Sequence, residues 1–242
     1  MEKIYKQRRS IGFVILAIIA LFFGLNPDII TQQQPFADEE FTSSEVLSDV
    51  VADQPKALDV LAEIPIKGRA PKTGYERDEF GSGWASIDGC DTRNIILQQN
   101  LINSMIADDD CIVLSGELND PYTGNTIDFV RGRTTSDAVQ IDHVVALSDA
   151  WQKGAQNLAL ADRVVFANDP LNLLAVDGPT NQQKGDSDAA SWLPPNRNFR
   201  CQYVARQIAV KAKYSLWVTE AEHAAMQRVL NGCEDQVVPY EQ

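Results

Sequence analysis

The hydrophobic pattern changes period several times along the chain, and each change predicts an element. In "TRNIILQQNLINSMIADDD" the apolar residues Ile95, Ile96, Leu101, Ile102, Met105 and Ile106 follow one helical stripe, so a helix is expected. "CIVLSGELNDPYTGNTIDFVRG" reads as two strands around a turn punctuated by Pro121 and Gly124. "VQIDHVV" predicts a further strand. "SDAWQKGAQNLALADRVVFAND" predicts one or two helices, with Ser148 a candidate N-cap. "LNLLAV" is a short strand, and "GPTNQQKGD" a turn entering a helix. Arg200 to Tyr214 and Glu220 to Leu230 are expected as helices. Thr219 and Glu222 make a capping box for the second, and Gly232 is placed to end it. The mixture is α+β, with a small two-stranded motif feeding a helix in the middle. The folded domain is expected over residues 64–242.

The N-terminal part follows a different pattern. Lys3, Lys6, Arg8 and Arg9 precede Ile11 to Leu25, fifteen residues without a charge. A basic start and an apolar run of this length read as a secretory signal or an uncleaved signal anchor over residues 1–26. The run is short for a membrane span, which needs roughly 17–25 residues. Either reading exports the rest of the chain, leaving it extracellular or held on the outer face of the membrane. Residues 27–63 read as an acidic linker. From Pro35 to Glu63, eight acids face only Lys56, which leaves −7 of a whole-chain net charge of −13. Cys90, Cys111, Cys201 and Cys233 form an even set without a CxxC pair, which favours disulfides over a zinc ribbon. Three pairings are open, and proximity in sequence favours Cys90–Cys111 with Cys201–Cys233.

The acidic total argues against a polyanionic partner until its distribution is considered. From Asn181 to Lys213, six basic residues face Asp186 and Asp188, a local +4. Arg206, Lys211 and Lys213 on the expected helix could meet phosphate, or could form an ordinary solvated face. Arg131 and Arg133 of "RGR" could grip phosphate at a hairpin end, or simply sit there.

The candidate chemistry lies in the strand "VQIDHVV". His143 is one of two histidines in the chain and follows Asp142 directly. Asp142 is a hard oxygen donor suited to magnesium, and a downstream asparagine carbonyl is a second. An imidazole beside such an ion could take a proton from water near pH 7. Asn172, Asn181 and Lys184 lie downstream. His223, on a terminal helix, reads as a surface residue, Tyr122 as a turn residue and Trp192 as a core anchor.

At these residues the chain resembles the HNH, or ββα-metal, endonucleases: "DH" at Asp142–His143, Asn172 of "LNLL", and Asn181 of "NQQK". The likeness is greatest to the branch named for the C-terminal domain of the GmrSD restriction endonucleases, whose secreted bacterial members look similar well beyond the finger. The supporting blocks run from "CDTRN" through "SGELNDPYTG", "DHVVALSDAW", "FANDPLNLLAV" and "NQQKGDSDAASWLPPN" to "CQYVARQIAVKAKYSL". The resemblance implies a ββα finger embedded in a mixed helical and hairpin domain. It implies His143 as general base, Asp142 and Asn181 as ligands of one divalent ion, magnesium or manganese, and Asn172 as the residue holding the finger loop. Lys184 would lie near phosphate or the metal shell. Asn181 stands where many relatives carry histidine, and the spacing from Asp142 to Asn181 requires a helical insertion to loop out. The implied activity is hydrolysis of phosphodiester bonds in DNA, with RNA open and little sequence preference, since no base-reading module is visible. No protein partner is expected beyond the membrane contact of the N-terminal segment. The rival reading is an exported interaction module that keeps the fold without catalysis.

Overall fold

The computed structural model describes residues 54–239. The expected signal or anchor segment lies outside them, as does most of the acidic linker. Among the described residues no helix is long and apolar enough to cross a membrane.

The first described helix, α1 (Ala57–Glu63), falls within the stretch expected as linker. Ala57 and Leu61 are buried against the two C-terminal helices, so the core begins before Ile64. The boundary was hidden because a seven-residue helix with one acidic first turn offers too few positions for a period to emerge. A short hairpin, β1 (Ser86–Ile87) and β2 (Cys90–Asp91), leads into α2 (Thr92–Asn100). Asp91 caps that helix by accepting the Asn94 amide at 2.8 Å.

The helix expected through Ile106 ends at Asn100, and Leu101–Ile106 is strand β3 instead. It pairs antiparallel with β4 (Val113–Asn119), which pairs in turn with β5 (Thr126–Val130). Without β3, one edge of β4 would present a row of unpaired amides and carbonyls. Its pairing wins over the helical stripe, at the cost of leaving Ile102 and Met105 exposed. The two strands and turn expected over Cys111 to Gly132 are present as β4 and β5. The disulfides join Cys90 to Cys111 and Cys201 to Cys233, the pairing that proximity favours.

Strand β6 (Val139–His143) pairs antiparallel with β7 (Leu173–Asp177), placing His143 opposite Leu173 and Asp142 opposite Leu174. Between them the chain makes a helical excursion through α3 (Leu147–Gln152) and α4 (Leu160–Asn168). Ser148 is not its cap: α3 starts from Ala146, and the Ser148 hydroxyl bonds Asp186 at 3.0 Å. Helix α5 (Gly178–Lys184) begins at once after β7, capped by Asp177. A Cβ at Gly178 would lie 1.9 Å from the Asp137 carbonyl oxygen, so only glycine lets α5 start so close to the entry of β6.

Helices α6 (Arg200–Lys213) and α7 (Glu220–Leu230) complete the set, and the capping box of Thr219 and Glu222 is formed. The described residues thus hold a mixed α and β fold of small antiparallel sheets and seven α-helices. Tyr203, Val204 and Ile208 of α6 pack into the same core as Val144, just after β6, and Val176 of β7.

Candidate active site

Successive side chains of a strand point to opposite faces. Asp142 and His143, adjacent in β6, are therefore held by different walls, and both are nearly buried, at 5% and 7% exposed. Asp142 is held by the hairpin behind it and the helix after it. Its Oδ1 accepts from Lys184 Nζ at 2.9 Å, and its Oδ2 accepts from the Tyr122 hydroxyl. Burial raises the Asp142 carboxyl above its ordinary value, against the opposing pull of Lys184 and Tyr122. Lys184, itself buried, also donates to the His143 carbonyl at 2.9 Å and so ties α5 to the end of β6.

His143 contacts the Ala167 carbonyl through Nε2 at 2.9 Å. A carbonyl can only accept, so Nε2 carries the proton and the lone pair resides on Nδ1. The Trp84 ring stacks on the imidazole, with centroids 5.6 Å apart and planes 10° from parallel. Burial lowers His143 to about 3, with Arg77 and Lys184 adding to the effect, so the ring is neutral near pH 7.

Asn172 lies behind the pair, wholly buried. Its Oδ1 accepts from the Val145 amide at 2.9 Å, and its backbone carbonyl accepts from Val144 at 2.8 Å. The turn leaving β6 is thus fixed from across the sheet. Asn181, on α5, donates through Nδ2 to Gln140 at 3.0 Å, and among the described residues nothing donates to its Oδ1.

Asp142, His143 and Asn181 line one cleft of about 490 Å³, together with Arg77, Arg93 and Ser148. A smaller cleft of about 280 Å³ on the Trp84 side shares His143 and Arg77 with it. Among the described residues no cluster of three or more His, Cys, Asp or Glu could hold a metal. A hard cation here would rely on the Asp142 carboxylate and the Asn181 amide oxygen, with water or substrate filling the remainder. Both Asp142 oxygens already accept a bond, from Lys184 and Tyr122, so a cation would have to share them.

The basic residues expected to meet nucleic acid lie elsewhere, and none of the five lines the cleft. Lys211 is fully buried, paired with Glu222 at 3.0 Å and Asp149 at 3.4 Å, and so cannot touch a polyanion. Arg206 donates to the carbonyls of Leu171, Pro170 and Leu173 and braces the turn that carries Asn172. Arg131 is bonded to the Val113 carbonyl and Asn94. Lys213 pairs with Asp169 at 3.1 Å. Arg133 is exposed. The summed charge of a segment does not reveal which faces of its helix are buried, and here α6 turns Lys211 inward.

Four residues at the site escape the sequence reading. Tyr122 reads as a turn residue, but its hydroxyl bonds Asp142. Trp84, Arg77 and Arg93 precede the strand by some fifty residues or more and stand in no spacing pattern with it. Only the fold brings them to the cleft.

A family model for the C-terminal domain of the GmrSD restriction endonucleases matches residues 91–229. The chain is also similar to an "Uncharacterized secreted protein" of Arthroderma benhamiae. The two are 39% identical over 180 residues, covering 73% of this chain and 84% of that protein. No solved structure matches the chain.

Proposed function

Because the chain belongs to the family of the GmrSD restriction endonuclease C-terminal domain, we propose that it is a metal-dependent HNH endonuclease hydrolysing phosphodiester bonds of DNA. On this reading β6, β7 and α5 are the ββα finger, and α3 and α4 are the insertion its long spacing requires. The single observation that supports it best is the state of His143: a neutral imidazole at the cleft, its Nε2–H bonded to the Ala167 carbonyl, its Nδ1 left to accept a proton.

In this mechanism His143 accepts a proton from the attacking water. The water oxygen forms the new bond to phosphorus as the bond to the leaving oxygen breaks. An anionic phosphodiester in the cleft favours the imidazolium and raises His143 from its low resting value toward the working range. Asp142 and Asn181 would hold one magnesium or manganese ion. When bound, that ion would stabilise charge on the phosphate and the leaving oxygen. Lys184 keeps Asp142 in place, and Asn172 keeps the turn after His143 rigid. The two disulfides and the likeness to a secreted protein support an exported chain.

The experiment is incubation of the full chain with plasmid and magnesium or manganese, with and without EDTA, beside His143→Ala. Metal-dependent nicking lost in the variant is expected. Intact plasmid in every lane would favour the rival, an exported module with the fold but not the chemistry.

A further inference from the structure

We infer that Arg77 and Arg93 form a two-point grip on the nucleic-acid backbone, binding phosphates flanking the bond cut at His143. The inference rests on the nuclease reading and gives these two arginines the substrate-holding role that the inward-turned Lys211 of α6 cannot fill.

The first observation is what these arginines lack. Neither makes an ion pair or a side-chain hydrogen bond with any described residue. Arg69, Arg131, Arg163, Arg200 and Arg206 are all bonded to carboxylates, amides or carbonyls of the fold. Arg93 is also half-buried, and it is lowered by that burial and by the nearby Arg131. A partly desolvated cation beside another cation costs stability unless an anion compensates it. In the folded chain Asp91 and Asp137 attract Arg93 from a distance, but neither forms an ion pair with it, and its net position stays lowered.

The second observation is position. Both guanidinium-bearing residues line the cleft that holds Asp142, His143 and Asn181. Arg77 acts electrostatically on His143, at the end of β6, whereas Arg93 acts with Asp137, two residues before its start. The strand from Val139 to His143 lies between these points, four steps or about 13 Å at roughly 3.3 Å per residue. A single small phosphate would satisfy one arginine; a chain of phosphodiesters can satisfy both. Of the three acids lining the same cleft, Asp142 is paired with Lys184, Asp186 with Lys72, and Asp137 lies within electrostatic reach of Arg93. The planar fork of arginine also matches two phosphate oxygens at once.

The test uses the full chain carrying His143→Ala, in EDTA, with a fluorescent DNA duplex titrated at several salt concentrations. Each of Arg77→Ala and Arg93→Ala, added to that background, should weaken binding and reduce the slope of log affinity against log salt by roughly 0.9, one phosphate contact each. Arg228→Ala, an exposed arginine on α7, should leave both unchanged. Arg93→Lys keeps the charge and loses the fork, so it should weaken binding with the slope near the parent's; it serves if Arg93→Ala fails to fold. Slopes and affinities equal to the parent's, in a protein whose wild type cuts plasmid, would overturn the grip and leave the nuclease reading standing. A wild type that neither binds nor cuts would remove both.

Discussion

His143 has one nitrogen committed to a carbonyl and one free, which makes a sharp demand on substitution. Removing a general base typically costs about 10²–10⁴-fold in turnover. His143→Ala should therefore abolish plasmid nicking while duplex binding in EDTA stays near wild type. Wild-type turnover in this variant under matched metal would remove the mechanism. Trp84 touches no proposed reacting atom, but its ring lies flat on the imidazole. We expect Trp84→Ala to lower kcat by about 10²-fold, the order that follows a small displacement of a reacting group, with KM little changed and Trp84→Phe recovering most of the loss. A purely structural tryptophan would instead lower the urea midpoint and leave the kcat of the folded fraction intact. Tyr122→Phe removes the donor to Asp142 Oδ2 and leaves a buried oxygen without it, at about 1–3 kcal/mol. Chemical denaturation should show that loss, and the magnesium needed for half-maximal activity should shift as Asp142 loses its anchor.

The junction of β7 and α5 is the element on which the site turns. Asp120 receives the Asp177 amide at 2.9 Å, so the β4–β5 turn that carries Tyr122 also holds the start of α5. The Gly178 backbone sits against Asp137, leaving no room for a side chain. Gly178→Ala should force the junction apart, destabilising the chain by at least about 1–3 kcal/mol and separating Asn181 and Lys184 from Asp142. Circular dichroism melts and plasmid nicking should fall together. An unaltered melt would show that α5 can be displaced without cost.

Across the molecule, the largest surprise is charge placed inside. Lys153 contacts Asp149, Asp188 and Glu222 at 2.6, 2.8 and 2.6 Å, and Arg69 and Lys211 complete a cluster of three cations and three anions. It joins α3, the loop after α5, α6 and α7. Breaking a buried pair from one side costs about 3–5 kcal/mol because the other charge is left unpaired. Lys211→Met should show a loss of that order in urea, with no change in the salt slope of DNA binding; a flattened slope would return Lys211 to the substrate. Burial pulls Lys211 down, but Glu222 and Asp149 outweigh it and leave the ammonium above its ordinary 10.5. Its contribution is therefore complete below that value and lost only as pH rises through the raised one. Helix α1 matters on the same scale. A chain beginning at Ile64 lacks the buried Leu61 and should unfold at lower urea than one beginning at Gln54, by at least the roughly 2–5 kcal/mol of a large core truncation.

What the sequence determined is local or covalent. The hairpin around Pro121 and Gly124, the strand carrying Asp142 and His143, helix α7 with its capping box, and the two disulfides follow from nearest-neighbour chemistry and short spacings. Asp142, His143 and Asn181 are legible as a set through a motif, and the structure brings them to one cleft. What only tertiary structure decided depends on partners distant in the chain. The strand β3 exists because β4 needed an edge partner. Lys211 is buried because α6 turns one face inward. Tyr122, Trp84, Arg77 and Arg93 reach the site from segments whose own pattern says nothing of it. Periodicity reports which face of an element is apolar, but not what that face will meet, and a charge count reports a sum, but not which charges the fold has already neutralised.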